Sequence, residues 1–144
     1  MFGGVIMKVM DVMTQNVATV NRNDSVEKAA RLMSEHNVGS IPICENNKVV
    51  GVITDRDIAL RSVANGSDNN IKVGDIMTSN PVVANKDMDI HDAARIMSER
   101  QIRRLPVEDN ENIVGIVSLG DIAIEPQHEN EAQKALSGIS EQNN

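Results

Sequence analysis

Two short stretches of this chain place a hydroxyl and an acid three residues apart at the end of an apolar run. They are Thr54 and Asp57 after Gly51-Val52-Ile53, and Ser118 and Asp121 after Gly115-Ile116-Val117. One chemistry of that spacing is structural. In a capping box the hydroxyl accepts from an early helix N–H while the acid reaches back to the cap residue's own N–H. The other is recognition. A carboxylate only accepts, so it can take both hydroxyls of a ribose, and a helix start presents free N–H groups and positive potential to an anion. Such charge-assisted bonds contribute roughly 1.5–3 kcal/mol each. The two roles do not exclude each other. Arginines stand near both motifs: Arg56 inside the first, and Arg103-Arg104 ahead of the apolar run that precedes the second. Guanidinium forks bind phosphate bidentately, which makes all three phosphate candidates; for each, the alternative is a solvated surface charge.

The elements around these motifs occur twice. Val9 to Leu60 aligns with Val73 to Ile124 at a constant shift of 64, without a gap, pairing Asp11 with Asp75, Met13 with Met77, Pro42 with Pro106 and Asp57 with Asp121. Two units, not a long solenoid, are present. In each copy a short turn (Val9 to Thr14, Val73 to Thr78) leads into an extended segment near Val17 to Val20 or Val82 to Ala84. A helix follows, capped by Ser25 or Asp89. Its apolar stripe is Val26, Ala29, Ala30 and Met33, repeated as Ile90, Ala93, Ala94 and Met97. Two apolar runs then flank a polar reversal, Glu45 to Lys48 in the first copy and Glu108 to Asn112 in the second. A second helix starts at Asp55 or Leu119; the first is expected to stop at Gly66 and the second to be interrupted by Pro126. The pattern is βαββα, twice, an α/β (α+β) chain. The expected division is a first repeat over 8–66, a linker over 67–72, a second repeat over 73–125, and a C-terminal helix with a polar tail over 126–144. Ala132, Ala135, Leu136 and Ile139 give that last helix its spacing.

Composition removes several function classes. The 144 residues carry a net charge of −7, one Phe and neither Trp nor Tyr. Nucleic acid is not an expected partner, because phosphate backbones need a basic face and single strands need aromatic platforms. Apolar runs fall short of the ~18 residues of a membrane span, and the first 13 residues do not read as a signal peptide. A cytoplasmic location is expected. Cys44, the single cysteine, reads as a small buried hydrophobe. No nucleophile–base pair, metal-ligand spacing or Gly-rich phosphate loop stands out, so catalysis and a metal site are not expected.

The repeat, the Val-Met-Asp-Val-Met-Thr and Val-Gly-Asp-Ile-Met-Thr openings, the Ile41-Pro42-Ile43 and Leu105-Pro106-Val107 strands and the Gly…Thr/Ser-x-x-Asp endings resemble tandem cystathionine-β-synthase (CBS) domains, over about residues 8–125. The resemblance implies a Bateman module: two βαββα repeats packed with pseudo-twofold symmetry and two clefts between them. Such clefts bind adenosine-containing ligands, among them AMP, ADP, ATP, S-adenosylmethionine and dinucleotides. Carried over, Thr54 and Asp57 would hold the ribose at one site, Ser118 and Asp121 at the other. Backbone from Gly39 through Ile41 to Pro42, and from Arg103 through Leu105 to Pro106, would contact adenine, as would the segments after Thr14 and Thr78. The expected function is a stand-alone regulatory module that binds an adenine nucleotide without catalysis and requires no cofactor. It would be a homodimer read by an effector protein. The alternatives are an S-adenosylmethionine or NAD sensor, and a structural dimerisation module with no ligand. Arginines fall at different points in the two copies, which predicts unequal sites.

Overall fold

The computed structural model describes residues 7–64, 66 and 71–123. The expected C-terminal helix, Pro126 and most of the 67–72 linker lie outside the described residues. The elements run α1 (Val9–Val12), α2 (Val26–His36), β1 (Ser40–Glu45), β2 (Lys48–Thr54) and α3 (Asp55–Asp57), which continues as a π-helical segment, Ile58–Ser62. Then come α4 (Val73–Ile76), β3 (Thr78–Ser79), β4 (Ala84–Asn85), α5 (Ile90–Arg100), β5 (Arg104–Asp109), β6 (Asn112–Ser118) and α6 (Leu119–Ala123).

Local chemistry accounts for the long elements. Ser25 caps α2 by accepting from the Lys28 N–H at 3.0 Å, and Asp89 caps α5 by accepting from His91 at 2.8 Å. Asn37 and Gln101 end these helices in the left-handed region, where Asn is better tolerated than most residues. Both hairpins turn on two residues of positive φ, Asn46 and Asn47 in one, Asn110 and Glu111 in the other. That geometry matches the right-handed twist of the flanking strands.

Two compact units result, and they do not follow the sequence repeat. One gathers the described residues of 18–81, here the Thr54 unit; the other joins 7–17 to 82–123, here the Ser118 unit. The opening turn of each repeat therefore packs with the strands of the other. In the Thr54 unit the sheet order is β1-β2-β3, with Val52 opposite Thr78 and Gly51 opposite Ser79. In the Ser118 unit the order is β4-β5-β6, and an isolated bridge from Thr14 to Ile116 takes the place of β3. Glycine permits this approach. A Cβ on Gly51 would lie 2.5 Å from the Met77 sulfur and 3.1 Å from the Thr78 carbonyl oxygen; one on Gly115 would lie 2.5 Å from the Met13 sulfur and 2.9 Å from the Thr14 oxygen.

Each unit has its own aliphatic core. Ile41, Ile43, Ile53, Val26, Ala29, Met33, Val73 and Ile76 fill one; Leu105, Val107, Val117, Ile90, Ala93, Ala94, Met97 and Val9 are in the other. Two expectations need correction. Ala94 is buried but its counterpart Ala30 is exposed, so the stripe of α2 is narrower than that of α5. Cys44 is half-buried, not enclosed; it stands at a register shift after Ile43, near the end of β1. Among the described residues, no helix is long and apolar enough to cross a membrane.

Candidate ligand-binding site

Each hairpin brings its motif residues to one end of its sheet. In the Thr54 unit, Ser40 opens β1 directly across from Thr54, the last residue of β2, and Ile41 lies opposite Ile53. The Asp55 N–H donates to the Gly39 carbonyl at 2.9 Å, drawing the start of α3 onto the start of β1. The Ser118 unit repeats this: Arg104 lies across from Ser118, and the Leu119 N–H donates to the Arg103 carbonyl at 3.0 Å. Gly39, Ile41, Pro42, Thr54, Arg56 and Asp57 are thus gathered in one unit, and Arg103, Arg104, Leu105, Pro106, Ser118 and Asp121 in the other. Ile41, Pro42, Leu105 and Pro106 are buried. Their side chains belong to the packing, which leaves only backbone for a ligand.

Both capping boxes form. The Asp57 N–H donates to Thr54 Oγ1 at 2.9 Å while Asp57 Oδ2 accepts from the Thr54 N–H at 3.1 Å. The Asp121 N–H donates to Ser118 Oγ at 3.1 Å and Asp121 Oδ2 accepts from the Ser118 N–H at 2.9 Å. One oxygen of each carboxylate is spent on the cap. The carboxylates are thereby fixed in orientation, as a rigid receptor for hydroxyl donors requires.

The surroundings of the two acids differ. Asp57 is 9% exposed, the only buried charged side chain among the described residues. Thr78 Oγ1 is 3.4 Å from its Oδ2, and Arg61 Nε is 3.9 Å from its Oδ1. Asp121 is half-buried and, among the described residues, its carboxylate has the Ser118 N–H as its one partner. The arginines differ as well. Arg56 and Arg103 are exposed. Arg104 is half-buried, and its Nε is enclosed with no hydrogen-bond partner among the described residues. A buried donor left unsatisfied costs about 1–3 kcal/mol, more when charged. That orphan N–H lies on the residue directly across from Ser118.

Sequence reading missed Arg61, Thr78 and Asp55. Arg61 had a signal, its i+4 position after Asp57 on a helix. Asp55 sits within the motif, and the missing Cβ of Gly39 makes room for it: a Cβ there would be 3.2 Å from Asp55 Oδ2. Thr78 had none, since it reaches Asp57 only through the exchanged opening segments.

A family model described as the CBS domain matches residues 9–63 and again 73–127. The chain belongs to the CBS domain family. This CBS pair is 47% identical over 135 residues to the CBS domain-containing protein YhcV of Bacillus subtilis (strain 168), spanning 94% of this chain and 96% of that protein. Among solved structures it is similar to CBSX2 in complex with AMP, at 32% identity and a TM-score of 0.72, over 85% of this chain and 98% of that one. It is equally similar to the CBS domain pair of MJ0100 in complex with 5-methylthioadenosine and S-adenosyl-L-methionine. There the identity is 34% and the TM-score 0.72, over 83% and 95% of the two chains. The mixed α/β architecture with two three-stranded sheets matches these pairs.

Proposed function

We propose that this CBS pair is a regulatory module that binds an adenine nucleotide without catalysing its conversion, and that Asp121 and Arg104 form its principal receptor. The unpartnered Nε of Arg104 carries the reading. An enclosed guanidinium N–H without an acceptor is tolerated at a cost; a phosphate oxygen would meet the outer N–H groups of this half-buried fork, and the side chain would have to turn for Nε to take part. Across the hairpin, the free oxygen of Asp121 is an acceptor for ribose hydroxyls. Ligand complexes of similar pairs, with AMP in one and adenosine derivatives in another, support the adenosine class. In the same reading Thr54, Asp57 and Arg56 form the second receptor, with Ser118 and Arg103 assisting the first, and backbone at Gly39, Ile41, Pro42, Leu105 and Pro106 meets the base.

The module would act in the cytoplasm, where adenine nucleotides are sensed, as a homodimer whose ligand state an effector protein reads. Leu60 and Val63, 58% and 64% exposed on the segment after Asp57, are apolar surface that a second copy would cover.

The test is a thermal-shift series with AMP, ADP, ATP, NAD and S-adenosylmethionine. A ligand at a hundred times its Kd adds about 2.7 kcal/mol to the unfolding free energy, several degrees for a chain of this size. At least one phosphate-bearing nucleotide should give that shift and exceed S-adenosylmethionine. Flat melting temperatures with every compound at millimolar concentration would leave the structural-module alternative standing.

A further inference from the structure

Asp57 and Asp121 hold equivalent places, yet among the described residues only Asp57 is engaged beyond its cap. The Arg61 guanidinium reaches in two directions. Its Nε is 3.9 Å from Asp57 Oδ1, and its Nη1 donates to the carbonyl oxygens of Ile76 at 2.9 Å and Met77 at 3.2 Å. Those carbonyls end α4, where helix geometry leaves acceptors without intrahelical donors and a cation is favoured. Thr78, the next residue, closes the ring by lying 3.4 Å from Asp57 Oδ2. The π-helical segment Ile58–Ser62 carries Arg61, and such local departures from α geometry are frequent at functional sites.

Among the described residues the Ser118 unit has no such ring. Sixty-four residues on from Arg61 the chain has Glu125, an acid, so the sequence supplies no cation at that point. Asp55, the second carboxylate at the Thr54 motif, is replaced there by Leu119, which is buried, and Ser40 is replaced by Arg104.

We infer that Arg61 is a latch on Asp57, a positioning residue that makes the Thr54 unit the weaker of the two nucleotide receptors and leaves the Ser118 unit to fill first. The inference rests on the adenine-nucleotide reading above. A ribose at Asp57 must displace the Thr78 hydroxyl and share the carboxylate with a guanidinium already beside it. Freeing Arg61 to meet a phosphate instead strips two carbonyls of their donor. A phosphate approaching this unit meets the exposed Asp55 carboxylate beside Arg56, whereas at the other it meets Arg104, with the buried Leu119 in place of that acid.

The latch is tested by calorimetric titration of the full chain with ADP in an Asp121→Asn/Arg104→Met background, which removes both proposed ligand contacts of the Ser118 unit and leaves the Thr54 unit as the tighter remaining site. Adding Arg61→Gln should strengthen that residual binding at least threefold, and Arg61→Lys, which keeps the charge but loses the fork, should strengthen it less. A gain in affinity cannot come from damage to the fold. Weaker binding in Arg61→Gln would make Arg61 a phosphate ligand and overturn the latch; unchanged binding overturns it as well. Should ADP bind no form of the protein, the nucleotide reading itself fails. The latch is then judged on urea midpoints of Asp57→Asn, Arg61→Gln and the double variant. Non-additive shifts support it and additive shifts overturn it.

Discussion

The two units share a backbone plan down to the capping-box bonds, and they differ in what surrounds the acid at the end of the second hairpin strand. In the Thr54 unit the carboxylate is buried and ringed by Thr54, Thr78 and Arg61. In the Ser118 unit it is more open, and the cation across the hairpin, Arg104, has an enclosed N–H with no acceptor among the described residues. Beyond the cap that both motifs form, the Thr54 motif ties its acid further into the fold, and among the described residues the Ser118 motif does not. The two repeats thus share architecture through glycines, caps and turns, while the two proposed receptors differ through a few side chains that the architecture does not need.

Changes at Arg104 should separate these roles most sharply. Arg104→Met removes a phosphate contact and an unsatisfied buried donor together. ADP affinity should fall roughly ten- to a hundredfold, the 1.5–3 kcal/mol of one charge-assisted bond, while the urea midpoint holds or rises. A lower midpoint with unchanged affinity would mean that the arginine is structural. The architectural half of the comparison is broken equally from either side. Gly51→Ala and Gly115→Ala should each destabilise by about 1–3 kcal/mol, the cost of overpacking, because each Cβ meets a methionine sulfur and a carbonyl of the exchanged segment. Chemical denaturation of the two variants checks this, and a loss at one glycine alone would deny the shared plan.

Much of that plan is legible in the sequence. Repeat spacing, the caps at Ser25 and Asp89, the polar reversals and both hydroxyl–acid boxes depend on residues within a few positions of one another, and local chemistry decides them. The exchange of opening turns is not local. Val9 and Val73 carry the same apolar signal whichever core receives them, so the pattern cannot say that α4 and β3 join the first hairpin. Thr78 was invisible as a neighbour of Asp57 for that reason. Ala30 was misplaced because spacing marks a face but not its width. Among the three candidate arginines, charge and position alone could not single out Arg104, since its partial burial comes from packing around β5 and β6.

A smaller difference lies at the entry to the first helix. Backbone donation from Asn21 and, less strongly, the Lys28 ammonium hold the Asp24 carboxyl below its ordinary value of 3.8, against an opposing contribution from burial. The position sixty-four residues on is Met88. A carboxyl depressed in the folded state adds stability above its unfolded pKa and loses it as pH falls through the folded one. Asp24→Asn should therefore flatten the acid limb of the stability profile below about pH 4, by a modest amount because the group is partly solvated. Met88→Leu should leave that limb unchanged. Urea midpoints across the acid range would show both.

The inequality of the two receptors is tested most directly by titrating wild type, Asp57→Asn and Asp121→Asn with ADP in a calorimeter, side by side. Either change removes one charge and keeps the cap's shape, at a stability cost of about 0.3–1 kcal/mol from the helix terminus, and more at Asp57, where Arg61 also loses its partner. Asp121→Asn should weaken the tighter binding event at least tenfold, about 1.4 kcal/mol, while Asp57→Asn leaves it within about twofold. Loss of the tighter event in Asp57→Asn, or wild-type affinity in both variants, would contradict the assignment of the Ser118 unit as the principal nucleotide receptor.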